Sequence, residues 1–230
     1  MNNLSTYIIE KLKINKDIKV KEYNYHPKDK DELRSLIEKL LEERGNEADL
    51  NDIDVSDITD MSSLFRNLDP YNIDISEWDV YNVEDMEYMF FGCEKFNSDL
   101  SRWDVSNVEN MGYMFGNCIN FNSNLSKWDV SNVKDMNNMF YYCPKFNCNL
   151  SKWNVSNVKD MNNMFYYCHR FNCDLSKWNV FNVKYMNNMF SFCKNFNSNI
   201  SKWDVSKVTD MEHMFNGCDS LTNKPSWYNA

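Results

Sequence analysis

The 230-residue chain is expected to fold as an α/β solenoid of about seven 25-residue strand-helix rungs behind a small α+β N-terminal cap. Three observations carry this expectation. A tryptophan returns every 25 residues, at Trp78, Trp103, Trp128, Trp153, Trp178 and Trp203, with Ile53 in the same place one period earlier. Columns of Val, Met, Phe and Cys keep the same step without an insertion, as in Met61, Met86, Met111, Met136, Met161, Met186 and Met211. Within each period the apolar spacing changes from strand-like to helix-like.

Taken in chain order, residues 1–52 form the cap. Ile18, Val20, Tyr23 and Tyr25 suggest a short strand, and residues 31–44 (DELRSLIEKLLEER) a helix stopped by Gly45, with Leu33, Leu36, Ile37, Leu40 and Leu41 on one apolar face. Residues 53–220 form the solenoid. In the rung around Trp153, the residues Leu150, Trp153 and Val155 have the one, four, six spacing of a leucine-rich-repeat strand, so a leucine-rich-repeat-like parallel strand is expected there. Val158, Met161, Met164, Phe165 and Cys168 follow on one face of a helix, with Asn157 as its N-cap and Asp160 in its first turn. Phe146 with Asn147, and their counterparts in the other rungs, turn the chain back, the asparagine bonding backbone in its turn or in a neighbouring rung. Residues 221–230 form a C-terminal cap, marked by Leu221 for Phe, Pro225 for Leu and Trp227 one place out of register.

Composition narrows the function classes. Apolar residues are 43%, aromatics 15% and charged residues 26% of the chain, a globular composition. The formal charge is -9, and the residues after 52 carry 15 Lys and Arg against 22 Asp and Glu. Such a balance gives no long-range attraction to phosphate backbones or anionic lipid, so nucleic acid is not an expected partner. No segment reaches the ~18 apolar residues of a membrane span. The first twenty residues contain no signal-peptide core, which points to the cytoplasm, a reducing compartment.

The repeat unit carries a family resemblance. WDVSNVKDMNNMFYYCPKFNCNLSKWNVSNVKDM, residues 128–162, resembles the BspA-like leucine-rich repeat proteins, in the bacterial branch whose units read W-D-V-S-N-V-x-x-M-x-x-M-F and F-N-x-x-L-S-x-W. The resemblance covers about residues 50–220 and recurs in every rung, and residues 27–60 look like the lead-in segment of such proteins. It implies a bacterial surface or host-interaction protein, with cell surface or secretion as the alternative location, and implies no enzymatic activity.

No grouping of residues points to catalysis, a cofactor or a metal. Six cysteines fill one column, Cys93 to Cys218, where a small apolar residue packs well. Cys148 and Cys173 occupy a column otherwise holding Ser98, Ser123 and Ser198, and are expected to be exposed, adjacent thiols able to pair on oxidation. The Met columns read as core filler in preference to a copper(I) site. The aspartates Asp79, Asp104, Asp129 and Asp204 are spread along the ladder, and the three histidines are scattered.

Binding is therefore expected on surface columns. Arg102, Lys127, Lys152, Lys177 and Lys202 stack beside Asp104, Asp129, Asn154, Asn179 and Asp204, so Lys152 and Lys177 are the less compensated pair. A second candidate is aromatic: Tyr141, Tyr142, Tyr166, Tyr167 and Phe192 recur after the core Phe, while Phe181 and Tyr185 replace a Ser and an Asp. Such a patch suits a protein or glycan ligand. The expected function is a noncatalytic protein-interaction module. The alternatives are a structural spacer, or a scaffold that self-associates end to end without a specific ligand.

Overall fold

The computed structural model of the chain describes residues 22–228, so Ile18 and Val20 of the expected cap strand lie outside the described residues. The 25-residue period is physical: parallel bridges join Asp60 to Asp85, Asp85 to Asn110, and so on to Tyr185 with Asp210. The strand-helix rungs are not there. Among the described residues there is one helix, and β pairing is confined to isolated bridges. The expected α/β, leucine-rich-repeat-like architecture is thus replaced by a stack of turn-built coils. The coils are numbered here from one, beginning at Ile53, to seven, beginning at Trp203.

The reason lies in where the backbone bonds go. A helix over residues 158–168 would send each N–H back four residues. Instead the N–H groups of Met161, Asn163, Phe165 and Tyr167 donate to the carbonyls of Tyr185, Asn187, Met189 and Ser191 in the next coil, each at 2.9 Å. Between them the chain closes i to i+3 turns, Met164 onto Met161 and Cys168 onto Phe165. Asn163 and Tyr167 have φ of 50° and 64°, the left-handed third position that a type II turn demands and a helix forbids. Successive three-residue turns still bring Val158, Met161, Met164, Phe165 and Cys168 inward, all fully buried. The burial expected of a helix face is met by a different path.

The expected strand is likewise a run of Asx turns. Asn149 Oδ1 accepts from Ser151 N, Asn154 Oδ1 accepts from Ser156 N, and Trp153 N bonds Leu150 O. Asp or Asn followed two residues later by a backbone donor is the local logic of such a turn. A third Asx turn sits at Asp160, whose Oδ1 accepts from Asn162 N. Asn157 is not a helix cap: its Nδ2 donates to Ser131 O of the preceding coil at 2.7 Å. The turn-back asparagines do bond the neighbouring coil, as when Asn147 N donates to Asn122 Oδ1 at 2.8 Å.

Side chains link coils where the backbone does not. Each Trp from Trp78 to Trp203 donates Nε1 to the backbone carbonyl 28 residues earlier in the chain at 2.9–3.0 Å. Each column cysteine donates its thiol to the carbonyl of a Phe in the preceding coil at 2.9–3.1 Å. Burying these polar groups therefore leaves none of them unpaired.

The spacing between coils is not uniform. Ring centroids in successive coils lie 4.5–5.0 Å apart for the tyrosine pairs Tyr88–Tyr113, Tyr141–Tyr166 and Tyr142–Tyr167. They lie 5.2–5.9 Å apart along the core Phe column. The stacked tryptophans are 6.4–6.5 Å apart and parallel to within 3°. Equivalent rings in a straight stack would all move by the same step, so the coils fan open toward the Trp edge. The array is concave on its tyrosine side.

The two ends differ. Helix α1, Lys30–Arg44, is capped by Asp29, whose side chain accepts from Glu32 N, and it buries Leu33, Ile37 and Leu40 against the first coil. Its Arg34 donates to the carbonyls of Ser63, Leu64 and Arg66, and Tyr25 bridges to Ile53. At the other end Trp227 stacks on Trp203 and Tyr228 sets its edge against Phe215. The N–H groups of Glu109, Lys134, Lys159 and Lys184 point back to the preceding coil, but most ladder N–H groups point toward the following one, so Met211, His213 and Gly217 in the last coil have no acceptor for theirs among the described residues.

Candidate binding face

Two columns of each coil stand in left-handed conformation, the position two after the first Met and the position two after the core Phe. Asn and Gly tolerate this region; for other residues it costs about 1–3 kcal/mol. The second column reads Asn67, Gly92, Asn117, Tyr142, Tyr167, Phe192 and Gly217. Coils four to six thus place aromatics where their neighbours place the residues that the backbone prefers.

These aromatics meet on the concave side. Tyr142 stacks on Tyr167 at 4.5 Å, Tyr167 lies 5.2 Å from Phe192, and Tyr141 stacks on Tyr166 at 5.0 Å. His169 packs on Tyr167 at 4.5 Å. Its Nε2 is buried without a partner, and burial, with the Lys194 charge, lowers its pKa below the usual histidine value. Tyr142 is 38% exposed, and Phe192 bounds the patch by leaning over Gly217, where an added Cβ would fall 2.7 Å from its ring.

The other expected site residues are elsewhere. Phe181 and Tyr185 are both exposed, but no ring contact joins them to the patch among the described residues. Phe181 lies under Lys207 Nζ at 3.8 Å, and Tyr185 stands in the bridge column between Asp160 and Asp210. Lys152 and Lys177 run along the Trp edge, on the convex side, where Asn154 and Asn179 spend their side-chain oxygens on Ser156 N and Phe181 N. Those asparagines hold turns, as Asp129 and Asp204 do in their own coils.

Cys148 and Cys173 are 9% and 7% exposed, not surface thiols. Their sulfurs accept from Leu125 N and Leu150 N at 3.1 Å, the place that Ser198 Oγ fills for Leu175 N. Burial raises both pKa values, and all eight cysteines are free.

The left-handed aromatic column was not foreseen as such, although the Asn, Gly and Tyr alternation at fixed offsets was visible in the repeat. Sequence reasoning also missed Arg34, whose role depends on a contact about thirty residues away. Among the described residues no cluster of His, Cys, Asp or Glu could hold a metal ion, and no helix is long and apolar enough to cross a membrane.

A family model described as "Mycoplasma protein of unknown function, DUF285" matches residues 35–149 and again 117–228. The chain belongs to this family. Comparison of this DUF285 chain with curated proteins and with solved structures found no match in either.

Proposed function

We propose that the chain is a noncatalytic protein-binding module whose contact face is the concave aromatic patch of coils four to six. The observation that carries this reading is the left-handed column. A pure spacer gains from Asn or Gly there, as at Asn67, Gly92, Asn117 and Gly217, whereas Tyr142, Tyr167 and Phe192 accept backbone strain. Concave faces of stacked arrays are extended, preformed surfaces, which favours binding there. The resemblance of the repeat to BspA-like proteins supports an interaction role of the same kind.

Ring geometry favours a protein over a glycan. A sugar packs on an open ring face, but here Tyr142 and Tyr167 each spend one face on the other, parallel within 7°, and Tyr167 is further crowded by Phe192 and His169. What remains outward is ring edges and hydroxyls, which suit carbonyl, carboxylate and apolar groups of a polypeptide.

The test replaces Tyr142→Asn, Tyr167→Asn and Phe192→Gly together, the residues other coils use. Wild-type protein is expected to capture one reproducible partner from native-host extract, and the variant to lose it while its thermal midpoint holds. Equal capture by the variant overturns the proposal. A collapse of the midpoint makes the column structural and favours the spacer.

A further inference from the structure

The formal charge of -9 conceals a segregation along the array. Coils one to three, residues 53–127, carry four Lys and Arg against fourteen Asp and Glu, a net of -10. Coils four to six, residues 128–202, carry nine against four, a net of +5. The basic coils are the ones that carry the tyrosine patch.

The cations beside the patch are Lys145, Arg170 and Lys194, which follow Tyr142, Tyr167 and Phe192 by two or three residues and are all exposed. Arg170 and Lys194 form no ion pair among the described residues, and Lys145 Nζ donates only to the neutral Asn120. The same columns are acidic or neutral outside these coils: Glu94 with Lys95, the latter paired to Asp69, then Ile119 with Asn120, and Asp219 with Ser220. His169, packed on Tyr167, keeps its Nε2 buried beneath this surface.

We infer that this face takes an acidic segment of a partner protein, carboxylates on Lys145, Arg170 and Lys194 and adjoining backbone against the tyrosine edges. The inference rests on the protein-binding reading above and adds the partner's charge. Three coils span about 15 Å at ~4.8 Å each, the reach of four or five extended residues. Ring edges are electropositive and tyrosine hydroxyls donate, so acceptor-rich chains are favoured on both counts. A long polyanion such as nucleic acid fits less well. The Tyr142–Tyr167 stack already takes up one ring face of each, and a strand leaving the patch meets the net charge of -10 in coils one to three.

The full chain is titrated with fluorescent decaglutamate and, separately, with an oligothymidylate of equal charge, and its mass is measured by light scattering. A protein of net charge -9 repels polyglutamate unless a local face overrides the total. Decaglutamate is expected to bind below about 100 µM at low salt and to weaken severalfold as salt screens the pairs. The Arg170→Ser, Lys194→Asp variant, which borrows the residues of coil seven or their like, is expected to lose at least about tenfold in affinity. Absence of decaglutamate binding, or an unchanged affinity in the variant, overturns the inference. So does an oligothymidylate that binds as tightly, or a dimer that dissociates in the charge variant, since each names another occupant. If host-partner capture depends on the tyrosines but not on these cations, the binding module stands and only the acidic partner falls.

Discussion

Asparagine and tyrosine share two columns of this array, and the backbone treats them unequally. At φ near 50° Asn163 sits where its short amide is tolerated, so Asn163→Ala is expected to destabilise the chain by about 1 kcal/mol, read from urea unfolding. Tyr142→Asn runs the other way: strain relief offsets the lost stacking, and a midpoint within a few degrees of wild type is expected. The cysteines illustrate a second residue-scale rule. Burial pushes the Cys93 thiol up to about 12, so at pH 8 the thiol is neutral and unreactive. Labelling of native protein with iodoacetamide at that pH is expected to leave the buried thiols untouched, with the same thiol count in the presence and absence of reductant. Rapid labelling, or a count lower by two without reductant, would show the Cys148 and Cys173 pairing that their burial argues against. Cys148→Ser is expected to be nearly neutral, because Ser198 already performs the same backbone contact.

At the scale of elements, α1 is a lid for hydrogen bonds as much as for apolar surface. Arg34→Ala strips donors from the carbonyls of Ser63, Leu64 and Arg66 and is expected to cost about 2 kcal/mol, measured by chemical denaturation. A loss below a few tenths would mean that the packing of Leu33, Ile37 and Leu40 closes this end unaided. The cap also has a pH signature. The hydrogen bond from Arg44 holds the Asp52 carboxyl below its usual range, so the folded state releases this proton more readily than the unfolded one. The stability from that pair is fully present above the ordinary carboxylate range and is lost as pH falls through the depressed value. Amide exchange in residues 24–54 is expected to accelerate in acid before that of the central coils. The helix of residues 31–44 was legible because its apolar face and Gly45 stop agree locally, while its Asp29 cap is seen only in the structure. The rung helices and strands were misread because turns closing every three residues reproduce the inward rhythm of a helix. The sign of φ, which distinguishes the two, leaves its trace only in paired Asn, Tyr and Gly positions.

For the whole molecule, periodicity alone gave the number of coils and the buried columns, because both depend on stacking identical units. Curvature is not legible, since it arises from unequal ring spacing across a coil, so the sequence does not rank the tyrosine side above the lysine columns. The open N–H groups of Met211, His213 and Gly217 predict fast amide exchange in coil seven. Slow exchange is expected at the equivalent Met136, Asn138 and Tyr142, whose N–H groups are bonded to coil five. Equal protection at both places would mean that the C-terminal edge is covered. The prevailing direction of the ladder has a bearing on biosynthesis. A chain made from its N-terminus completes α1 and coil one first, and every later coil arrives carrying carbonyls for most of the waiting donors and a few donors for the waiting carbonyls. Folding can therefore keep pace with the ribosome, each 25-residue instalment docking on a finished template, and the edge left open at any moment is the one that the next instalment will close.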